Sequence, residues 1–148
     1  MPPVTLDTFS PDSQEGLVDA LVGQWRVEGF IQSDCPQEWK RAMPMGQTHW
    51  VAEQGQLRIT PAAGAAEHVM LWPVDEMSLF NTATLSVMDC EISETLSLEI
   101  ESLGQYWSSG TYEATLQHDG SDTCIELADQ ADVVDRCTTR FQWQARRL

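Results

Sequence analysis

Between Trp25 and Gln32 the chain alternates: Trp25, Val27, Gly29 and Ile31 fall on one face of an extended segment, and Arg26, Glu28 and Gln32 fall on the other. A period of two predicts a strand with one buried face. Just upstream the period is helical, because Leu17, Val18, Leu21 and Val22 recur on one side of a helix that Asp12 or Ser13 can cap, with Glu15 in its first turn. Gly23 stops that helix and turns the chain into the strand. Further short runs rich in Thr, Val, Leu and aromatics predict strands near 25 to 33, 46 to 53, 56 to 61, 67 to 73, 79 to 89, 94 to 101, 105 to 117, 122 to 128 and 134 to 144. Turn formers separate them at Glu53-Gln54-Gly55, Pro61 to Gly64, Pro73 to Glu76, Leu103-Gly104 and Asp119-Gly120-Ser121.

Eight or nine sequential strands with short connections leave exposed edges unless the sheet closes. The predicted fold is therefore all-β: an antiparallel up-and-down barrel of about eight to nine strands, capped at one end by the short N-terminal helix. The 148 residues suit a single barrel domain, with residues 1 to 10 as a loose leader. Asp34 to Met45 fits neither helix nor strand. Its Cys35-Pro36, Trp39-Lys40-Arg41 and Met43-Pro44-Met45 suggest a loop over a barrel mouth or bulky residues packed on its rim.

Taking Trp25 as inward, alternation nominates Val27, Ile31, Trp50, Leu71, Leu85, Val87, Leu98, Tyr112, Leu116, Phe141 and Trp143 for the interior. The facing of Trp72 and Trp107 stays open. An eight-stranded barrel holds either side chains alone or one small ligand. The six tryptophans suit both, since each joins a large apolar body to one N–H donor. The candidate ligand-binding residues are Trp50, Trp72, Trp107, Tyr112, Phe141 and Trp143.

Charge narrows the class of partner. The net charge is −15, from 23 acidic residues against eight Lys and Arg, and such a field repels phosphate backbones and anionic membrane surfaces. No nucleic-acid role is expected. No apolar run is long enough for a helical membrane span, and no leader is visible, so a cytoplasmic location is expected. The four cysteines then read as thiols. Cys124 and Cys137 are equidistant from a polar turn near Gln130, so a hairpin there would set them face to face as two buried thiols or a cross-strand disulfide. No Cys/His spacing fits a zinc site, and no metal is expected.

Signatures of nucleophilic or nucleotide chemistry are missing from the sequence: there is no G-x-S-x-G, no G-x-x-x-x-G-K-[ST] and no G-x-G-x-x-G. Glu99 and Glu101 share a strand face, but it is opposite Leu96, Leu98 and Ile100 and should meet water. The histidines are His49, His68 and His118. His49, His68 and Tyr112 are the candidate acid/base groups, and an inward histidine could also ligate haem iron.

A short helix, then Leu21-x-Gly23-x-Trp25 opening the first strand, a meander of about eight strands and a late arginine resemble the lipocalin and fatty-acid-binding (calycin) superfamily. LVGQWRVEG is also similar to small bacterial lipocalin-like proteins of unknown function. The resemblance implies that Trp25 plugs the closed end of the barrel under an arginine bonded to backbone. Arg140 lies on the face opposite Phe141 and Trp143, so that role falls to Arg146 or Arg147, and Arg146 joins Gly23 and Trp25 as an expected structural residue.

The resulting expectation is a module that binds a small apolar or aromatic molecule, without a cofactor, as monomer or homodimer. Two other readings are a cofactor-free isomerase, cyclase or hydratase using the same barrel, and a haem-binding barrel.

Overall fold

A computed structural model describes residues 14–35, 43–62, 68–87, 89–118, 120, 122–125 and 136–148. The elements are α1 (Gln14–Leu21), β1 (Gly23–Ser33), β2 (Gly46–Glu53), β3 (Gln56–Pro61), β4 (Val69–Pro73), β5 (Ser78–Val87), β6 (Cys90–Leu103), β7 (Trp107–His118) and β8 (Arg136–Arg147). All neighbouring strands are antiparallel, and β8 returns to pair with β1, so the sheet closes into an eight-stranded barrel. Residues 1 to 10 and the proposed caps Asp12 and Ser13 lie outside the described residues.

The expected strand at 122 to 128 is absent where it is described, because residues 122–125 form a helical turn. Cys124 in that turn is bonded to Cys90 at the start of β6, and the hairpin that would have set it opposite Cys137 does not form. Cys137 is instead bonded to Cys35. Barrel closure explains this pairing: Ser33 lies opposite Thr139 in the β1–β8 register, which brings Cys35 opposite Cys137. Asp34 completes the junction, its N–H donating to Thr138 O at 3.2 Å and its Oδ1 accepting the Thr138 N–H at 2.7 Å. The expected thiols are thus two disulfides, and no described cysteine is free.

One end of the barrel is closed by packing. Leu17, Val18 and Leu21 are buried on the face of α1 that packs against β2, β3 and β4. Beneath them Trp25, Trp50 and Trp143 form a chain of rings with centroids 5.6 and 5.7 Å apart, all but inaccessible to solvent. The arginine over Trp25 is Arg147, and Arg146 is exposed on the outer face. The Arg147 guanidinium lies 4.2 Å from the Trp25 ring centroid, and it donates to Val22 O at 2.6 Å, Ala20 O at 2.9 Å and Gln105 O at 2.8 Å. Gly23 is obligatory at this junction: its φ is +148°, and a Cβ there would collide with the Arg147 guanidinium.

At the other end β1, β3, β5 and β7 finish and β2, β4, β6 and β8 begin. Both disulfides sit there, in a small cluster of Cys35, Cys90, Ile92, Leu116, Cys124 and Cys137. Of the stretch before β2, Met43 is buried in the main core and Met45 is exposed, while residues 36–42, Trp39 among them, lie outside the described residues.

Candidate functional site

The register stacks the inner face into rows that run from β5 through β6, β7 and β8 to β1. Above Trp25 and Arg147 comes Ser108–Ala145–Val27, and above that Gly110–Trp143–Gly29. The wall is tight on both sides of Trp143: a Cβ on Gly110 would collide with Glu99 O and sit 3.0 Å from Trp143 Cζ2, and one on Gly29 would collide with Gln142 O and the Phe141 ring. The next row is Leu79–Leu98–Tyr112–Phe141–Ile31, and above it lies Asn81–Leu96–Ala114–Thr139–Ser33. Four of those last five residues are small or polar. Side-chain volume therefore falls abruptly above the aromatic row, before the cystine cluster begins.

Solvent reaches this level of the inner face. Ile31 lies on the inward side of β1 next to the fully buried Phe141, yet it is 41% exposed. Two features of the wall account for this. β2 pairs with β1 only from Gly23 to Val27, leaving the upper half of β1 without that neighbour, and β4 pairs with β5 only through Trp72–Phe80 and Pro73–Leu79. Ala83, inward on β5 beyond that short seam, is also exposed. Asn81 bridges the seam, its Nδ2 donating to Met70 O at 2.8 Å.

Polar groups on the inner face differ in how well they are satisfied. Thr48 donates to Trp25 O at 2.8 Å and accepts the Trp50 N–H at 2.8 Å, and the Trp25 N–H donates to Leu21 O at 2.8 Å. Thr139 is hydrogen-bonded to Ser33 at 2.7 Å. Trp143 differs: its Nε1 is buried and has no hydrogen-bond partner. A buried donor without an acceptor costs about 1 to 3 kcal/mol, and an acceptor brought to it recovers that cost. Higher up, Glu94 is half-buried and holds the inward position between Leu116 and Ala83, the one carboxylate on this face among the described residues.

Of the sequence candidates, Trp50, Tyr112, Phe141 and Trp143 come together in the interior. Trp72 and Trp107 do not join them; both point outward, 48% and 58% exposed, because Leu71 and Ser108 take the inward positions beside them. His49 is on the outer face of β2, between the inward Thr48 and Trp50, and His68 is exposed ahead of β4. His118 ends β7, with its Nδ1 accepting the Gly120 N–H at 2.9 Å. Neither His49 nor His68 is placed to act on a molecule in the barrel or to ligate haem there. Tyr112 is in the aromatic row, with 1% of its surface exposed.

Glu99 and Glu101 face water and line a polar depression with Glu113, whose carboxylate pairs with Arg140 at 3.4 Å. Asp34, Cys35 and Cys137 bring potential metal-ligand atoms together, but the two sulfurs are bonded to each other and offer no thiolate. Glu94 was missed in the sequence, although parity with Leu96, Leu98 and Ile100 puts it on the inner face. Comparison with protein-family models, with curated proteins and with solved structures finds no match to this chain.

Proposed function

We propose that the barrel binds one small, largely apolar or aromatic molecule between its aromatic row and its cystine cluster, as a calycin-like binding module. The observation that carries this reading is the layering of the inner face. Buried Tyr112 and Phe141 lie above Trp143 with its unused N–H, a row of small residues follows, and solvent reaches Ile31 and Ala83 at the same height. A ligand with one acceptor atom that enters at Ile31 and Ala83 and displaces the packing over the aromatic row would reach the indole. The Trp25–Arg147 closure, with its bonds to backbone carbonyls, supports the calycin reading.

Pairing of all four cysteines supports an oxidising compartment as the alternative to the cytoplasm.

The test is displacement of an apolar fluorescent dye by fatty acids, retinoids and aromatic ketones, with tryptophan emission followed in parallel. We expect saturable binding, and expect Trp143→Phe, which keeps an aromatic ring but removes the donor, to weaken ligands that carry an acceptor by about tenfold relative to matched ligands without one. Failure of the dye and of every ligand to bind would leave a barrel whose interior serves only as core.

A further inference from the structure

We propose a second binding site, on the outside of the barrel at the end closed by α1, for a small aromatic carboxylate. Positive charge is scarce in this molecule, with eight Lys and Arg in 148 residues and a net charge of −15. Even so, Arg26 of β1 and Arg146 of β8 are direct cross-strand partners, both exposed on the outer face. Like charges placed directly opposite in a sheet destabilise it. Three other arginines are engaged, Arg58 with Glu53 at 3.1 Å, Arg140 with Glu113 at 3.4 Å and Arg147 with three carbonyls, while Arg136 stands exposed at the opposite end of β8. Arg26 and Arg146 make no side-chain hydrogen bond or ion pair among the described residues. The fold gains nothing visible from the pair.

On the other side of Arg146, in the same row, stands Trp107, 58% exposed. Together with Glu28, Gln144 and Ala145 these three residues line an open groove of about 110 Å³, space for a single small ring system. Two guanidinium forks can take a carboxylate between them, and the indole face beside them takes an aromatic ring. The platform is fixed in advance. Arg147, the next residue along β8, is tied to three carbonyls, and the turn before Trp107 is closed by the Gly104 N–H donating to Trp107 O at 2.7 Å. Either arginine can turn toward a ligand without breaking an existing bond.

Glu28 sets the charge of the ligand. Its carboxylate in the groove wall leaves a net single positive charge, which suits a monoanion and disfavours a phosphate dianion. The site lies outside the barrel and does not depend on a ligand inside it.

Calorimetric titration of the full chain with 2-naphthoate, 2-naphthylmethanol and inorganic phosphate tests the proposal. Saturable binding of naphthoate is expected, with the neutral alcohol and phosphate weaker by about tenfold or more. Arg26→Gln with Arg146→Gln should cut naphthoate binding by at least about tenfold while the melting temperature holds or rises, since a like-charge contact is removed. Glu28→Gln should strengthen binding severalfold, and Trp107→Ala, which removes the exposed indole of the groove, should weaken it by about tenfold. Naphthoate binding no better than the alcohol, binding that survives the double substitution, weakening in Glu28→Gln, or full binding in Trp107→Ala would each overturn the site.

Discussion

The two ends of this barrel are held by different chemistry. At the α1 end, Trp25, Trp50, Trp143 and Arg147 close the sheet by ring packing, one cation over an aromatic face and hydrogen bonds to backbone carbonyls. At the opposite end the buried cluster is small, and two disulfides tie the end of β1 to the start of β8 and the start of β6 to the β7–β8 connection. Where apolar packing is dense, the wall needs no covalent help. Where the inner face thins to Asn81, Ala114, Thr139 and Ser33 and admits solvent, cross-links replace the missing core. A barrel that keeps an accessible interior at one end gives up burial there, and disulfides restore rigidity without refilling the space.

The strongest way to break this contrast is to remove the covalent end. Cys35 and Cys137 are separated by 102 residues, and for a loop on that scale the chain-entropy model assigns the cross-link about 4 to 5 kcal/mol. Cys35→Ser with Cys137→Ser should lower stability by about that amount in urea unfolding. The near-UV circular dichroism of the coupled tryptophans should persist at low temperature, because those rings sit at the other end. Loss of that signal on reduction, before global unfolding, would show that the ends are not independent.

Trp25→Ala tests the packed end. Truncating a buried tryptophan costs about 3 to 5 kcal/mol, and here it also frees Arg147 from its ring. We expect both disulfides to resist dithiothreitol as well as they do in the wild type, with no thiol released before unfolding. Thiol release from the native variant would contradict the separation of the two ends.

Much of this division could be read from alternation. The strands at 46 to 53 and 56 to 61 match β2 and β3 in full, and the inward Trp50, Tyr112, Phe141 and Trp143 follow from parity alone. Parity carried further would have chosen Arg147 over Arg146, since Phe141, Trp143 and Ala145 set the odd positions inward. It would also have moved Trp72 and Trp107 outside and brought Glu94 in. The cysteine pairing was not available in the same way. It depends on the β1–β8 register, a contact between chain ends that local periodicity does not encode, and on residues 122–125 coiling where their pattern reads as a strand. The glycines beside Trp143 were equally silent, because the need for space arises only when β6 lies beside β7 at Gly110 and β8 beside β1 at Gly29.

Arg147→Lys sharpens the account of the packed end at a smaller scale. An ammonium can approach one of the three carbonyls but cannot span them as the planar fork does, and the others lose a charged donor. A loss of about 2 kcal/mol is expected. Burial lowers the pKa of this guanidinium, yet arginine stays charged across the working range, so the loss should be the same at pH 5 and pH 9. A pH-dependent difference would mean that the contact is not carried by the charge on Arg147.

The smallest effect concerns acid. Asp75, in the β4–β5 turn on the same side as Arg147, has its carboxyl held below the ordinary carboxylate range, first by the Met77 N–H donating to its Oδ1 at 2.8 Å, then by Ser78. A pKa lower in the folded chain than in the unfolded one means that the ionised form favours folding. That contribution is complete above the unfolded pKa, near pH 4, and is lost as pH falls through the folded value. Asp75 is exposed, so solvent screening keeps the effect small. Asp75→Asn should flatten the acid limb of the melting curve slightly below pH 4 and leave pH 7 to 9 parallel to wild type. The turn closes the narrow β4–β5 seam, so any change should register at the packed end, as altered tryptophan emission, before the disulfide end responds. An acid limb unchanged by the substitution would remove Asp75 from the forces that hold the seam.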